Sequence, residues 1–438
     1  MDVKSIWHAI SRRWSRDDRP DVHEEADPAA AQRFLVGLGS ALLSVGVATT
    51  DIHRTLHGVA RALGYEQASI IVLPTVMIIS LTEASERGLA ATEPHDGEVR
   101  FDRASGVYQL VLAAQRGELT AEEGLDRLAA IQAEPPRFRW PVRIIGHGVA
   151  ASGVALILLG ADLTSMIGAL LLGSLVGAAK LVVRPNSFSA TLLPAFMSFL
   201  TALLVFAAAE AHLLAVPLQV LVPALVTLLP GAALTTGIQE LAAGDMISGS
   251  SRLVSGAIQL VLLAFGIIAA LTISGLAPSR ALQVTGPGFG AFEPWVGVIL
   301  MALGFFLYYC GPPRAVYFLT VTLFAAYGAQ VLSALIVPAV FSGFVGALVL
   351  TVVAYLLQSF RGAPPAVVCF LPAFWLLVPG AAGLIDFTQK VLGLALETVN
   401  TFSVLGSIVA IALGVVTGTA VYRQIYRLAP SRWGLRFS

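Results

Sequence analysis

The sequence predicts a mainly α-helical membrane protein, with ten transmembrane helices as two inverted five-helix repeats behind a small cytoplasmic α+β or helical domain. Three observations predict it. The 438 residues are 56% hydrophobic and 12% charged, with a mean hydropathy of +0.80, against about 45–50% apolar and about 25% charged in soluble domains. The charges crowd into residues 1–143. Beyond them, apolar windows of about 20 residues, the length that spans a bilayer, follow one another almost to the carboxyl end.

The windows give approximate spans at 142–161, 164–183, 190–209, 213–233, 251–273, 294–311, 315–335, 338–357, 366–383 and 402–422. Short turns join most of them, and a Gly/Pro-rich loop covers Ser274–Pro294. Arg137, Arg139, Arg143, Lys180, Arg184, Arg252, Arg314, Arg361, Arg423, Arg427, Arg432 and Arg436 fall on one side of that alternation. Basic residues in short loops stay cytoplasmic, so both termini are expected there. Only Arg280 and Lys390 fall on the far side.

An internal repeat supports the count. Val222-Pro223-Ala224 precedes Pro230-Gly231-Ala232-Ala233, and Leu371-Pro372-Ala373 precedes Pro379-Gly380-Ala381-Ala382, the second copy lying 149 residues on. Gly244 and Gly393 match at the same offset. Five spans per copy is an odd number, so the second copy enters the membrane inverted, the architecture of many secondary transporters. The expected divisions are a disordered or surface-lying tail (1–29), a cytoplasmic domain (30–136), the repeats (137–280 and 281–424) and a basic cytoplasmic tail (425–438).

Within 30–136, Phe34–Leu63 carries apolar residues at helical spacing, with Gly64 as its stop. Ser69–Leu81 reads as a strand or strand pair despite Pro74. Thr120-Ala121-Glu122-Glu123 caps a helix running to about Gln132.

Composition narrows the function classes. A net charge of zero gives no reason to expect nucleic acid. No ATP-binding loop, hydrolase motif or metal-ligand cluster occurs, so neither cofactor nor metal is expected and an ion gradient is the expected energy source. Cys310 and Cys369 both lie in apolar spans and read as packing residues. Both a monomer and a homo-oligomer stay open.

Proline and glycine in mid-span free backbone groups that lipid cannot satisfy, so such breaks belong beside protein or a water-filled cavity. Pro230, Gly231, Ala232, Pro379, Gly380 and Ala381 would sit near mid-membrane, each break starting a half-helix whose amino end suits a carboxylate. The alternative is a plain proline kink. Thr235 and Thr236 on the first half-helix, and Asn186, Ser187 and Ser189 before the third span, could line a polar path or simply bond and cap their own helices. Intramembrane acids are costly and so are functional candidates. Glu240, Asp386 and Asp245 are therefore proton-coupling candidates, with a solvated interfacial acid as the other reading. His147 is either a fourth candidate or a neutral ring bonded between helices.

Two stretches carry a resemblance. One is Phe34-Leu35-Val36-Gly37-Leu38-Gly39 through Arg54-Thr55-Leu56 to Ala60-Arg61-Ala62-Leu63-Gly64. The other is Leu229-Pro230-Gly231-Ala232-Ala233-Leu234-Thr235, Gln239-Glu240-Leu241, Ala243-Gly244-Asp245 and Ile247-Ser248-Gly249, with Arg252 after it. Together they resemble the threonine/serine exporter family, with Glu240 where the family pattern favours Asp. The resemblance implies export of small hydroxylated amino acids driven by the proton-motive force, with substrate, protons and lipid as partners. Two other readings stay open: transport of another small polar solute, and a membrane-anchored enzyme using the amino-terminal domain around Ser44, Asp51 and His53.

Overall fold

The computed structural model of the chain describes residues 27–81, 90–92, 99–184, 187–282, 290, 292–360, 363–377, 379–392 and 401–428. It is mainly helical with one small sheet.

The amino-terminal unit begins at α1 (Pro28–Ser44), where the Asp27 side chain accepts from Ala29 N and Pro28 supplies a preset φ. One continuous helix over Phe34–Leu63 is not formed. Gly46, at φ +84°, ends the first helix, and α2 (Thr49–Ala62) starts anew. Strands β1 (Ser69–Val72) and β2 (Met77–Ser80) pair antiparallel around a turn that contains Pro74, and β3 (Ala90–Thr92) pairs with β2. Two more helices follow, α3 (Phe101–Gln115) and α4 (Ala121–Ala133). In α4 the Thr120 hydroxyl accepts from Glu123 N while the Glu123 carboxylate accepts from Thr120 N, the reciprocal cap that the sequence predicts. The sequence reading missed α3 and β3. Phe34, Leu38, Ile52, Leu56, Met77, Ile79 and Leu110 close one core beneath these elements.

Then come the long apolar helices: α5 (Trp140–Leu159), α6 (Leu163–Val182), α7 (Phe188–Glu210), α8 (Leu218–Ala224), α9 (Gly231–Ala242) and α10 (Met246–Ser274). A short α11 (Pro278–Ala281) lies in the stretch expected to be a loop. Next are α12 (Glu293–Tyr308), α13 (Ala315–Ala334), α14 (Ala339–Gln358), α15 (Ala366–Leu376), α16 (Pro379–Val391) and α17 (Thr401–Leu428). Among the described residues eight helices are long and apolar enough to cross a membrane, with Ala366–Val391 taken as one, and the bent pair α8 and α9 makes nine. The sixteen residues of α12 form a shorter apolar helix.

Small residues set how these helices pack. A Cβ built on Gly304 of α12 would stand 2.2 Å from Ala150 N of α5, and one on Gly153 would stand 2.5 Å from Gly297 O. The two backbones therefore touch along a glycine seam, the way membrane helices associate when apolar burial cannot drive them. The same holds between α7 and α10, where a Cβ on Gly266 would meet Ser198 Oγ at 2.1 Å. It holds again between α14 and α17, where one on Gly414 would meet Phe344 O at 2.4 Å.

Candidate functional site

Two prolines unmake the helix between Leu218 and Ala242. Neither Pro223 nor Pro230 has an N–H to donate, so the chain leaves α8 as a 3-10 turn over Val226–Leu228 and restarts as α9 at Gly231. The two halves meet at 52°.

The freed carbonyls do not go unmet. Lys180 Nζ of α6 donates to Thr227 O at 3.2 Å, and Gln259 Nε2 of α10 donates to Leu228 O at 2.6 Å. His147 Nε2 of α5 stands 2.7 Å from Thr227 Oγ1. Protein side chains thus take the place of the missing helix bonds, which is the condition for irregular backbone at membrane depth.

From this break a chain of rings leads to Trp375 near the end of α15. The His147 ring meets Tyr308 edge-on at 4.8 Å, Tyr308 meets Tyr309 at 4.8 Å, and Tyr309 stacks on Trp375 at 6.1 Å. Arg143 and Lys180 both lie over the Tyr308 ring, at 5.8 and 5.9 Å, where a cation is attracted to the π-face. Arg143 Nε also donates to Tyr308 O at 2.9 Å. Trp375 sits in the last turn of α15, just before α16 begins at Pro379. Its indole Nε1 is buried and has no hydrogen-bond partner among the described residues.

The half-helix α9 packs against both α15 and α16. On α9, Pro230, Gly231, Thr235 and Thr236 are buried, Ala232 is half-buried beside the ring cluster, and Thr235 Oγ1 lacks a partner among the described residues. On α16, Ala381 is buried, and Pro379 and Gly380 form the first turn of the helix. Asp386 is nearly buried, and its carboxylate pairs with Lys390 Nζ at 2.9 Å.

The other acids sit elsewhere. Glu240 lies ten residues after Pro230, about 15 Å along a helix. Fully buried, it takes Arg252 Nε at 3.1 and 3.0 Å and accepts from both Thr49 N at 2.9 Å and Thr49 Oγ1 at 3.0 Å. Asp245 follows the Gly244 turn that ends α9, and its Oδ2 accepts from Thr50 Oγ1 at 2.6 Å. Both acids therefore face the amino-terminal unit. Ser187 caps α7 by accepting from Ala190 N, and Ser189 is exposed; among the described residues neither bonds to the break. Asn186, Gly393 and Arg361 lie outside the described residues.

Sequence reasoning missed Thr227, Lys180, Gln259, Tyr308, Tyr309 and Trp375 as site residues. Lys180 read as a topology anchor, and an aromatic in an apolar span reads as lipid-facing or core. Among the described residues no group of His, Cys, Asp and Glu could hold a metal ion.

Residues 33–274 match the family described as "Putative threonine/serine exporter", more than half of the chain. The chain belongs to the threonine/serine exporter family. It is 22% identical over 273 residues to a threonine/serine exporter of Corynebacterium glutamicum, an alignment covering 61% of this chain and 55% of that protein. It is 25% identical over 246 residues to an uncharacterized protein of Schizosaccharomyces pombe, covering 53% of this chain and 29% of that one. The chain thus spans about half, or less, of the curated relatives it matches. No solved structure matches it. The family match takes in the break, His147, Lys180 and Glu240, while Tyr308, Trp375 and α16 lie beyond it.

Proposed function

We propose that this chain is a secondary active exporter of small hydroxylated amino acids, threonine and serine, across the plasma membrane. Export is coupled to the proton gradient, and the substrate is held near mid-membrane where the paired Pro-Gly breaks meet. The observation that carries this reading is the continuous line from Thr227 through His147, Tyr308 and Tyr309 to Trp375, which runs from the first Pro-Gly motif toward the second in a member of the threonine/serine exporter family. A zwitterion suits its surroundings. The amino end of α9, with Lys180 and Arg143 nearby, favours the carboxylate. Asp386 offers a negative charge for the ammonium, and Thr235 a hydroxyl partner.

Counting α12 and the two interrupted elements as spans gives ten. The packing supports an inverted five-plus-five repeat: α7 pairs with α10 as α14 pairs with α17, and α9 packs on α17 as α16 packs on α10. In this arrangement both termini are cytoplasmic and the amino-terminal unit is a cytoplasmic domain.

The test is flux of radiolabelled threonine and serine in proteoliposomes of known orientation, with and without an imposed pH gradient. Gradient-dependent movement of both is expected. A protein that moves neither, or that moves other solutes in preference, overturns the reading.

A further inference from the structure

Three of the contacts between the amino-terminal unit and the membrane helices fall at the end of α9, just past the end of α12, and at the last residue of α14 beside the start of α15. At the first, Thr49 N and Oγ1 both bond Glu240, and Thr50 Oγ1 bonds Asp245, so the amino end of α2 is seated on the far end of α9. A buried carboxylate on the positive end of a helix dipole is a favourable pairing. At the second, Phe101 N donates to Tyr309 O at 2.7 Å, and the Phe101 ring stacks on Tyr309 at 4.9 Å. Tyr309 lies in the line of rings that leads to Trp375. At the third, Tyr108 of α3 meets the Gln358 side chain, whose Oε1 accepts from Ala366 N at 2.7 Å, the first residue of α15.

One unit with its own closed core therefore holds the end of the first broken element, the Tyr309 ring, and the start of the second. Through these contacts a single unit links the end of α9 to the start of α15. We propose that the amino-terminal unit is a releasable latch on the two broken elements, and that its detachment from Glu240 and Tyr309 frees them to rearrange during transport. The reading rests on the proposed transport function for its purpose, though the grips exist without it.

Release is feasible because of how Glu240 is held. A buried charge stripped of its only partner is strongly unfavourable. Glu240 has two sets of partners: Arg252 comes from α10, not from the amino-terminal unit, and stays with the carboxylate when Thr49 leaves. Asp245, Tyr108 and Gln358 are half-buried, so water can replace their partners. The latch can open without orphaning an ion.

Thr49 offers a selective way to open it. It is the first residue of α2, and Ala48 before it is extended, at φ −64° and ψ 141°. Proline is well tolerated at that helical position and after an extended residue, so Thr49→Pro deletes both bonds to Glu240 and spares the helix. Closing is equally selective: the Thr50 and Asp245 side chains touch, so Thr50→Cys with Asp245→Cys places two thiols for a disulfide across the grip.

The experiment reads amide hydrogen exchange at residues 225–234 and 366–377 in the full chain, and flux in proteoliposomes. Thr49→Pro is expected to raise exchange at both breaks by about tenfold, the scale of losing bonds to a charged group, while strands β1 and β2 keep their protection. The oxidised double-cysteine protein is expected to lose exchange at the breaks and to transport about tenfold more slowly than its reduced form, with recovery on reduction. Unchanged exchange at the breaks in the oxidised protein overturns the latch, and so does equal flux before and after reduction. Should Thr49→Pro unfold β1 and β2, the disulfide arm decides alone. Absence of threonine and serine flux in the unmodified protein sinks the transport reading instead, and the exchange measurements still judge the latch.

Discussion

His147 on α5 and Thr227 in the break between α8 and α9 stand 2.7 Å apart, Nε2 to Oγ1, across 80 residues of sequence. The contact ties a long α-helix to the short 3-10 turn between two half-helices. It also places a hydroxyl where the chain changes direction.

Thr227→Val keeps the shape and removes the hydroxyl. His147 Nε2 is then left buried without its partner, a loss of about 1–3 kcal/mol. Expected outcomes are a lower unfolding midpoint in detergent and a fall in threonine flux, with Thr227→Ser restoring both. If valine and threonine behave alike in both assays, His147 does not depend on this bond.

Glu240 and Arg252 form a buried pair in which the carboxylate is fully enclosed and the arginine side chain is 18% exposed. Removing one partner leaves a charge in low dielectric, which costs about 3–5 kcal/mol, while removing both costs far less. Arg252→Met should therefore destabilise the protein strongly. Glu240→Gln/Arg252→Met should recover much of that loss. Denaturant titration of the three proteins checks it, and a double variant as unstable as Arg252→Met would show that the pair is not the cause.

The seam between α5 and α12 has no room for a methyl group at Gly304, where a Cβ would meet Ala150 N at 2.2 Å. Gly304→Ala must push two backbones apart, at about 1–3 kcal/mol. Tyr308 and Tyr309, one turn further along, would move with α12 and loosen the ring line to Trp375. Lower thermal stability together with reduced flux is expected. Full stability in the alanine variant would mean that the seam is looser than drawn.

How much of this was legible in the sequence depends on what each residue answers to. The apolar windows placed almost every long helix within a few residues, because a membrane fixes helix length by thickness alone. The Pro-Gly motif located the first break, since proline removes a donor wherever it sits. The reading faltered where tertiary contacts decide. Gly46 splits the apolar periodicity of Phe34–Leu63 into two helices, and α3, with Arg100 and Asp102 at its start, lacks the clean cap that marks α4. The ring line was invisible because Tyr308 and Trp375 look like any aromatic in an apolar span. Glu240 and Asp245 read as proton-coupling candidates or solvated interfacial acids, because their partners, Thr49 and Thr50 respectively, lie 191 and 195 residues away in sequence.

Outside the membrane helices, His57 on α2 offers a pH dependence. Burial, then His53 at 4.5 Å and Arg61, hold its pKa below the usual value of 6.5. The unfolded chain therefore binds a proton at a higher pH than the folded one, and stability rises with pH through that window. Above pH 6.5 the benefit of the neutral ring is fully present; it is lost as pH falls through 6.5 toward the folded value. His57→Gln should flatten that dependence. Exchange protection of β1 and β2 in the full chain, measured between pH 5 and 7.5, checks it, and identical profiles for the two proteins would remove His57 from the account.

Asp386 decides whether the second half-helix carries the proton. Its side chain is 7% exposed and its partner Lys390, one turn on, is 50% exposed, so the pair has a dry end and a wet end. Asp386→Asn is expected to abolish gradient-driven export while leaving threonine–threonine exchange, which needs no net proton movement. Lys390→Met should keep coupling but shift its pH dependence, since the acid remains and its neighbouring charge is gone. Glu240→Gln supplies the comparison: if Glu240 is the carrier, that variant uncouples and Asp386→Asn does not. Normal gradient-driven flux in both acid variants would mean that the proton takes another path, with His147 as the next residue to test.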